Sequence, residues 1–205
     1  MSEPWARIPS AETVTEVVEA LKKGGFEVFL VESGKDALTK IKWMIPRGSE
    51  VMVGGSQTLE EIGFREWLKA GDHGWKNLYA EVTSENDDTK RNELRRKSMI
   101  SDYFLAGVNA ITRQGELVAC DMSGSRIGAY PFAAKNLILV SGVQKIVENL
   151  EEARSRVRDY VFPLTDQMTM KMYGFHCAMA KWVIMEKEPI PKRTTVILVK
   201  EKIGW

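Results

Sequence analysis

Glu50-Val51-Met52-Val53-Gly54-Gly55-Ser56-Gln57-Thr58-Leu59-Glu60-Glu61 is the stretch that decides how this chain is read. Four residues of strand character run into two glycines, and hydroxyl-bearing residues then open a helix. Paired glycines let a backbone approach a ligand closely, and free amides at a helix N-terminus attract anions. Ser56 and Thr58 add hydroxyl donors, so a carboxylate or phosphate suits this place. The plain alternative is an ordinary strand-to-helix turn capped by Thr58, with Glu61 closing a capping box. Local physics leaves both open. The glycine spacing is neither the dinucleotide fingerprint nor the Walker loop.

Working outward, the same alternation recurs. Val14, Val17, Val18 and Leu21 mark a helix over residues 12–23, ended by Gly24-Gly25. Residues 26–31 read as a buried strand, and Ser33 with Asp36 caps a helix over 34–44. Beyond the glycine loop, Leu59, Ile62 and residues 64–68 predict a helix, and residues 78–82 a short strand. A polar helix is expected over 87–99 and a strand over 103–108. Residues 110–112 and 117–120 form a hairpin about Gln114-Gly115, and 137–140 is an apolar strand. Asn149 with Glu152 caps a helix to Phe162, and strands over 182–186 and 195–199 close the chain. Strands separated by helices imply an α/β fold with a largely parallel sheet covered on both faces. Ligands in such sheets bind beyond the carboxyl ends of the strands. One domain over 1–205 is expected; residues 165–173 offer the only boundary, so 165–205 could form a small extension.

Composition narrows the function. The 205 residues carry 29 Lys plus Arg against 28 Asp plus Glu, so the charge of +1 supplies no general attraction to nucleic acid or anionic membrane. The basic run 90–97 follows Asp87 and Asp88 in the order that a helix dipole favours, and no aromatic residues interleave to stack bases. No apolar run is long enough to span a bilayer, and the first five residues do not resemble a signal peptide, so a cytoplasmic protein without membrane insertion is expected. Cys120 and Cys177 are too few for a zinc site or an iron–sulfur cluster and are read as idle thiols. No metal or cofactor is expected, Met168, Met170 and Met172 are expected to pack, and His73 and His176 carry no nucleophile–base pattern.

Two further segments carry candidate chemistry. In Asp121-Met122-Ser123-Gly124-Ser125-Arg126, Asp121 could orient a hydroxyl or act as a base, and Arg126 could clamp a carboxylate. The alternative is a serine turn beside a solvated arginine. Lys145, just beyond Ser141-Gly142-Val143, stands at another strand end. The candidate ligand-binding set is therefore Gly54, Gly55, Ser56, Gln57, Thr58, Ser123, Gly124, Arg126 and Lys145, with Asp121 the candidate catalytic group.

Taken in order, residues 45–63, Asn109-Ala110-Ile111-Thr112, Gly115-Glu116-Leu117-Val118, Asp121, Gly124, Arg126, Gly142-Val143-Gln144-Lys145-Ile146-Val147 and Leu150-Glu151-Glu152-Ala153 resemble the lactate-utilisation (LUD) domain. The resemblance covers nearly the whole chain. It implies a Rossmann-like three-layer fold of the glucosamine-phosphate deaminase, ribose-phosphate isomerase and coenzyme A transferase superfamily (NagB/RpiA/CoA transferase-like). It further implies an accessory role in oxidation of L-lactate to pyruvate beside iron–sulfur oxidoreductase partners, with a small anionic metabolite as ligand. A stand-alone enzyme acting on a phosphorylated or acyl-thioester metabolite, a purely structural subunit and a homo-oligomer remain alternatives. Ser125 and Gln144 replace the family's usual asparagines. Asn109 stands where related isomerases place an acid, which argues against isomerase chemistry here.

Overall fold

The computed structural model describes residues 4–205; the reading of the first residues as lacking a signal peptide falls partly outside them. Helix α1 (Ala11–Lys23) starts at an N-cap, Ser10, and leads into strand β1 (Glu27–Val31). Helix α2 (Gly34–Met44) has the expected cap at Ser33, which Asp36 completes as a capping box. Strand β2 (Glu50–Val53) is followed by two short helices, α3 (Gln57–Glu61) and α4 (Phe64–Ala70), where one was expected. The break falls at Gly63, whose φ of +73° suits glycine and interrupts the helical path.

The expected strand over 78–82 is instead helix α5 (Leu78–Ser84), preceded by the two-residue strand β3 (Lys76–Asn77). Asn77 Oδ1 accepts the Ala80 N–H, and Leu78 and Val82 are buried one helical turn apart. Helix α6 (Asp88–Lys97) has Asp87 as its cap and basic residues in its last turn. Strands β4 (Tyr103–Gly107), β5 (Ala110–Thr112), β6 (Leu117–Asp121) and β7 (Asn136–Gly142) follow. After the short strand β8 (Ile146–Val147) comes helix α7 (Leu150–Arg156). It does not stop at Phe162: a π-helical turn, Val157–Val161, carries it into helix α8 (Phe162–Tyr173). Pro163 has no N–H for the carbonyl four residues back, and the chain widens to a Phe162 N–H to Val157 O bond rather than breaking. The 165–173 stretch is thus largely helix. Strands β9 (Lys181–Met185) and β10 (Thr194–Val199) complete the fold.

Six strands in the order β1-β10-β7-β4-β2-β3, every pair parallel, make the main sheet. A second sheet, β8-β5-β6-β9, contains the expected hairpin and takes β9 as an antiparallel neighbour of β6. Alternation along the main strands divides the core. Phe104, Ala106, Leu137, Leu139, Val196 and Leu198 face one way, against α1, α5 and the second sheet. Leu105, Ile138, Val140, Ile197 and Val199 face the other, against α2, α3 and α4. Each of these side chains is essentially inaccessible to water, which at ~25 cal/mol per Å² makes this the main stabilising contribution. Strand β1, expected to be buried, is a half-exposed edge.

Candidate functional site

Parallel strands bring their carboxyl ends to one edge, and three of the expected segments meet there: the glycine loop after β2, Gly107 to Asn109 after β4, and Lys145 in a 3-10 turn (Val143–Lys145) after β7. The 121–126 segment arrives from a different direction, at the end of β6 in the second sheet. Together they line one side of a cavity of about 690 Å³. Of the expected ligand set, Gly55, Ser56, Gln57, Thr58, Ser123, Arg126 and Lys145 line it, as does Asp121; Gly54 and Gly124 do not.

Gly54 sets the position of Arg126. A Cβ on Gly54 would stand 2.6 Å from Arg126 Cγ, so only glycine lets the arginine stem pass. Gly55 has open space where a Cβ would be. The cap of α3 is Ser56, whose Oγ accepts the Leu59 N–H, and not Thr58. Glu61 closes no capping box; its carboxylate accepts the Gly204 N–H at 2.6 Å and the Gln57 amide at 3.0 Å. That frees Thr58, which is 1% exposed, to hold Lys145: Nζ donates to Thr58 Oγ1 at 2.8 Å and to Val108 O at 3.2 Å.

Arg126 is tied to backbone. Its guanidinium donates to Cys120 O at 2.6 Å and Gly107 O at 3.0 Å, and its own N–H donates to Asp121 Oδ2 at 3.0 Å. An arginine so held fastens the end of β6 to the end of β4 and is not a solvated side chain. Asp121 orders the loop through that backbone bond. Ser123 and Ser125 form a serine turn, Ser125 N–H to Ser123 Oγ at 3.2 Å, and Arg95 of α6 donates to Ser125 Oγ at 2.6 Å. The two departures noted at 109 and 144 are structural ties: Asn109 Oδ1 accepts the Cys120 N–H, and Gln144 Nε2 donates to Ile203 O and Gly204 O.

Sequence reasoning missed Arg156. It is 0% exposed, donates Nη1 to Asn109 O, stacks on Tyr160, and leaves Nε and Nη2 without hydrogen-bond partners. Burial lowers its pKa to about 10. The available signal was a charged residue on the stripe Ala153, Val157, Tyr160, which is otherwise apolar. Burial, then Arg156 and Arg126, hold the Lys145 amine well below its ordinary 10.5, and Glu61 offsets this only in part. Among the described residues none of Lys145, Arg126 and Arg156 forms an ion pair.

The opposite wall is apolar and was also missed: Val157, Val161, Phe162, Met168, Met172 and Phe175, supplied by the π turn, α8 and the loop after it. Met168 and Met172 thus border the cavity. Both cysteines line it too and are half-buried. Burial pushes the Cys120 thiol up to about 11 and raises that of Cys177, so both are protonated at neutral pH. Among the described residues no group of three His, Cys, Asp or Glu side chains could hold a metal ion, and no helix is long and apolar enough to cross a membrane.

A three-layer α/β domain with a cation-lined cavity at the carboxyl edge of a parallel sheet is the class this arrangement defines. The LUD domain model matches residues 14–199, and the chain belongs to the LUD domain family. In structure it is similar to a DUF162 family protein from Deinococcus radiodurans, at TM-score 0.59 and 14% identity over 94% of this chain and 99% of that one. A D-ribose-5-phosphate isomerase in complex with phospho-erythronic acid matches at TM-score 0.39 and 10% identity over 83% and 95%. Ribose 5 phosphate isomerase A from Neisseria gonorrhoeae matches at TM-score 0.35 and 13% identity over 74% and 73%. No curated protein matches the sequence.

Proposed function

We propose that this LUD domain protein is an accessory subunit of L-lactate oxidation, binding a small anionic metabolite in the cavity and acting with iron–sulfur partners. The observation that carries the reading is the pair Lys145 and Arg126 in the cavity wall, with the fully buried Arg156 close behind Lys145 and none of the three in an ion pair. Buried charge left uncompensated is costly, and an incoming carboxylate or phosphate would relieve it. Gly55 and the hydroxyls of Ser56 and Ser123 would orient that anion, with Arg126 neutralising it beside the Lys145 amine and Asp121 positioning a substrate hydroxyl. Two cysteines cannot hold a cluster, so electrons would pass to a partner.

A second reading rests on size. About 690 Å³ falls within the ~300–1,000 Å³ typical of drug-sized ligands, and half of the wall is apolar. An anion carrying an apolar or nucleotide portion, such as an acyl thioester, would use both walls. The test is a thermal-shift series with lactate, pyruvate, sugar phosphates, nucleotides and coenzyme A, since a ligand at 100 times its Kd stabilises by about 2.7 kcal/mol. A rise with lactate or pyruvate that Lys145→Met removes supports the first reading. A rise confined to coenzyme A or its thioesters supports the second, and no rise with any anion defeats both.

A further inference from the structure

Lys145 has more chemistry than charge neutralisation requires. Its amine lies at the cavity wall, its stem is enclosed to 2% exposure, and its two hydrogen-bond acceptors, Thr58 Oγ1 and Val108 O, are fixed by α3 and the end of β4. A protonated amine has three N–H donors and would leave one without a protein acceptor in this setting. A neutral amine has two, which match the two acceptors, and a lone pair is left over. The charged groups acting on it are Arg126 from the loop after β6 and Arg156 from α7, both opposing protonation, and Glu61 from α3, which favours it. Cations close to an enclosed lysine, with no carboxylate paired to it, are the conditions under which lysines become nucleophiles toward carbonyl carbon.

We infer that Lys145 is a covalent catalytic residue: its Nζ condenses with the aldehyde or ketone carbonyl of a small anion, a 2-oxo acid being the simplest case, to give an imine. This rests on the anion-binding reading of the cavity, because Arg126 would hold the carboxylate beside the amine. The lone pair of Nζ forms the C–N bond, and the carbonyl oxygen becomes a hydroxyl by taking a proton that nitrogen gives up. Loss of that hydroxyl with the second nitrogen proton, as water, leaves the C=N bond. No oxidant or reductant takes part. The Thr58 hydroxyl, 2.8 Å from Nζ, is placed to pass the proton. The imine withdraws electrons from the adjacent carbon, which would activate the bound metabolite toward proton loss.

The test uses the intact chain at pH 7 with pyruvate or glyoxylate and cyanoborohydride, which reduces an imine to a stable amine, followed by peptide mass spectrometry. An exposed lysine is neutral at that pH only to the order of one part in a thousand. The expected result is one dominant adduct, at Lys145, at least ~10-fold above any exposed lysine, and lowered by excess lactate, which has the carboxylate but no carbonyl. Adducts spread over exposed lysines with Lys145 unmodified by both probes would overturn the inference. Thermal shifts with lactate, recorded alongside, separate the two readings. A lactate shift without a Lys145 adduct defeats the imine and keeps the anion cavity; neither signal defeats both.

Discussion

Arg126 owes its place to a missing side chain. With Gly54 bare, the arginine stem crosses the end of β2 and its guanidinium reaches Gly107 O and Cys120 O. We expect Gly54→Ala to cost about 1–3 kcal/mol, the usual cost of overpacking, and to remove any anion response with it. Gly55→Ala, in open space, should stay within about 0.5 kcal/mol of the parent. Urea unfolding of the pair checks this, and equal losses would show that Gly54 does not set the arginine. At this scale the sequence was partly legible. A glycine pair between a strand and a helix pointed to the right place, because backbone requirements are written locally. That Ser56 and not Thr58 caps the helix was hidden, since the choice is made by Lys145, 87 residues away in sequence. Arg126, Asn109 and Gln144 bond to carbonyls and amides of other segments, the C-terminal residues Ile203 and Gly204 among them, and such partners leave no local trace.

Among the elements, the strands of the main sheet were the most readable, because apolar β-branched runs of this length have few other fates. The segment 78–82 misled for the same reason: five mostly apolar or aromatic residues look like a strand until the Asn77 cap and the helical spacing of Leu78 and Val82 are weighed. We predict that Asn77→Ala lowers stability by about 1 kcal/mol through loss of the cap on α5. An unchanged urea midpoint would mean that the cap contributes nothing and would reopen the strand assignment. Helix α8 was concealed by Pro163, which normally ends a helix. The π turn absorbs it, and in doing so turns Val157 and Val161 toward the cavity and carries Met168 and Met172 to its apolar side. Residues 165–173, read as a boundary, therefore supply Thr165, Met168, Thr169, Met172 and Tyr173 to the cavity wall.

Over the whole molecule, the ionisable groups that packing encloses should shape the dependence of stability on pH. Burial pushes the Glu188 carboxyl up, but hydrogen bonds from Thr194, the Ile190 N–H and its buried partner Arg193 more than offset this and hold it below 4.5. A carboxylate so lowered contributes stability above 4.5 that is lost as pH falls through its folded value. Lys145 has the opposite sign. Its folded pKa lies below 10.5, so over that interval the unfolded chain binds more protons and stability rises with pH. Thermal unfolding of the wild type and Lys145→Met across pH 6 to 10 should show this slope in the first and less of it in the second, to the extent of roughly one proton. Parallel curves would mean that the amine stays charged. The order of strands has a different consequence. β10, which comes after the other five strands of the main sheet in the chain, is inserted between β1 and β7, and its Thr195 hydroxyl bonds to Glu27, 168 residues earlier. Until it emerges from the ribosome, the nascent chain has a first strand with no neighbour and a β7 edge bare along its length, both open to pairing with other chains. Completion of the main sheet therefore waits for residues 194–199, however early the strands before them are made.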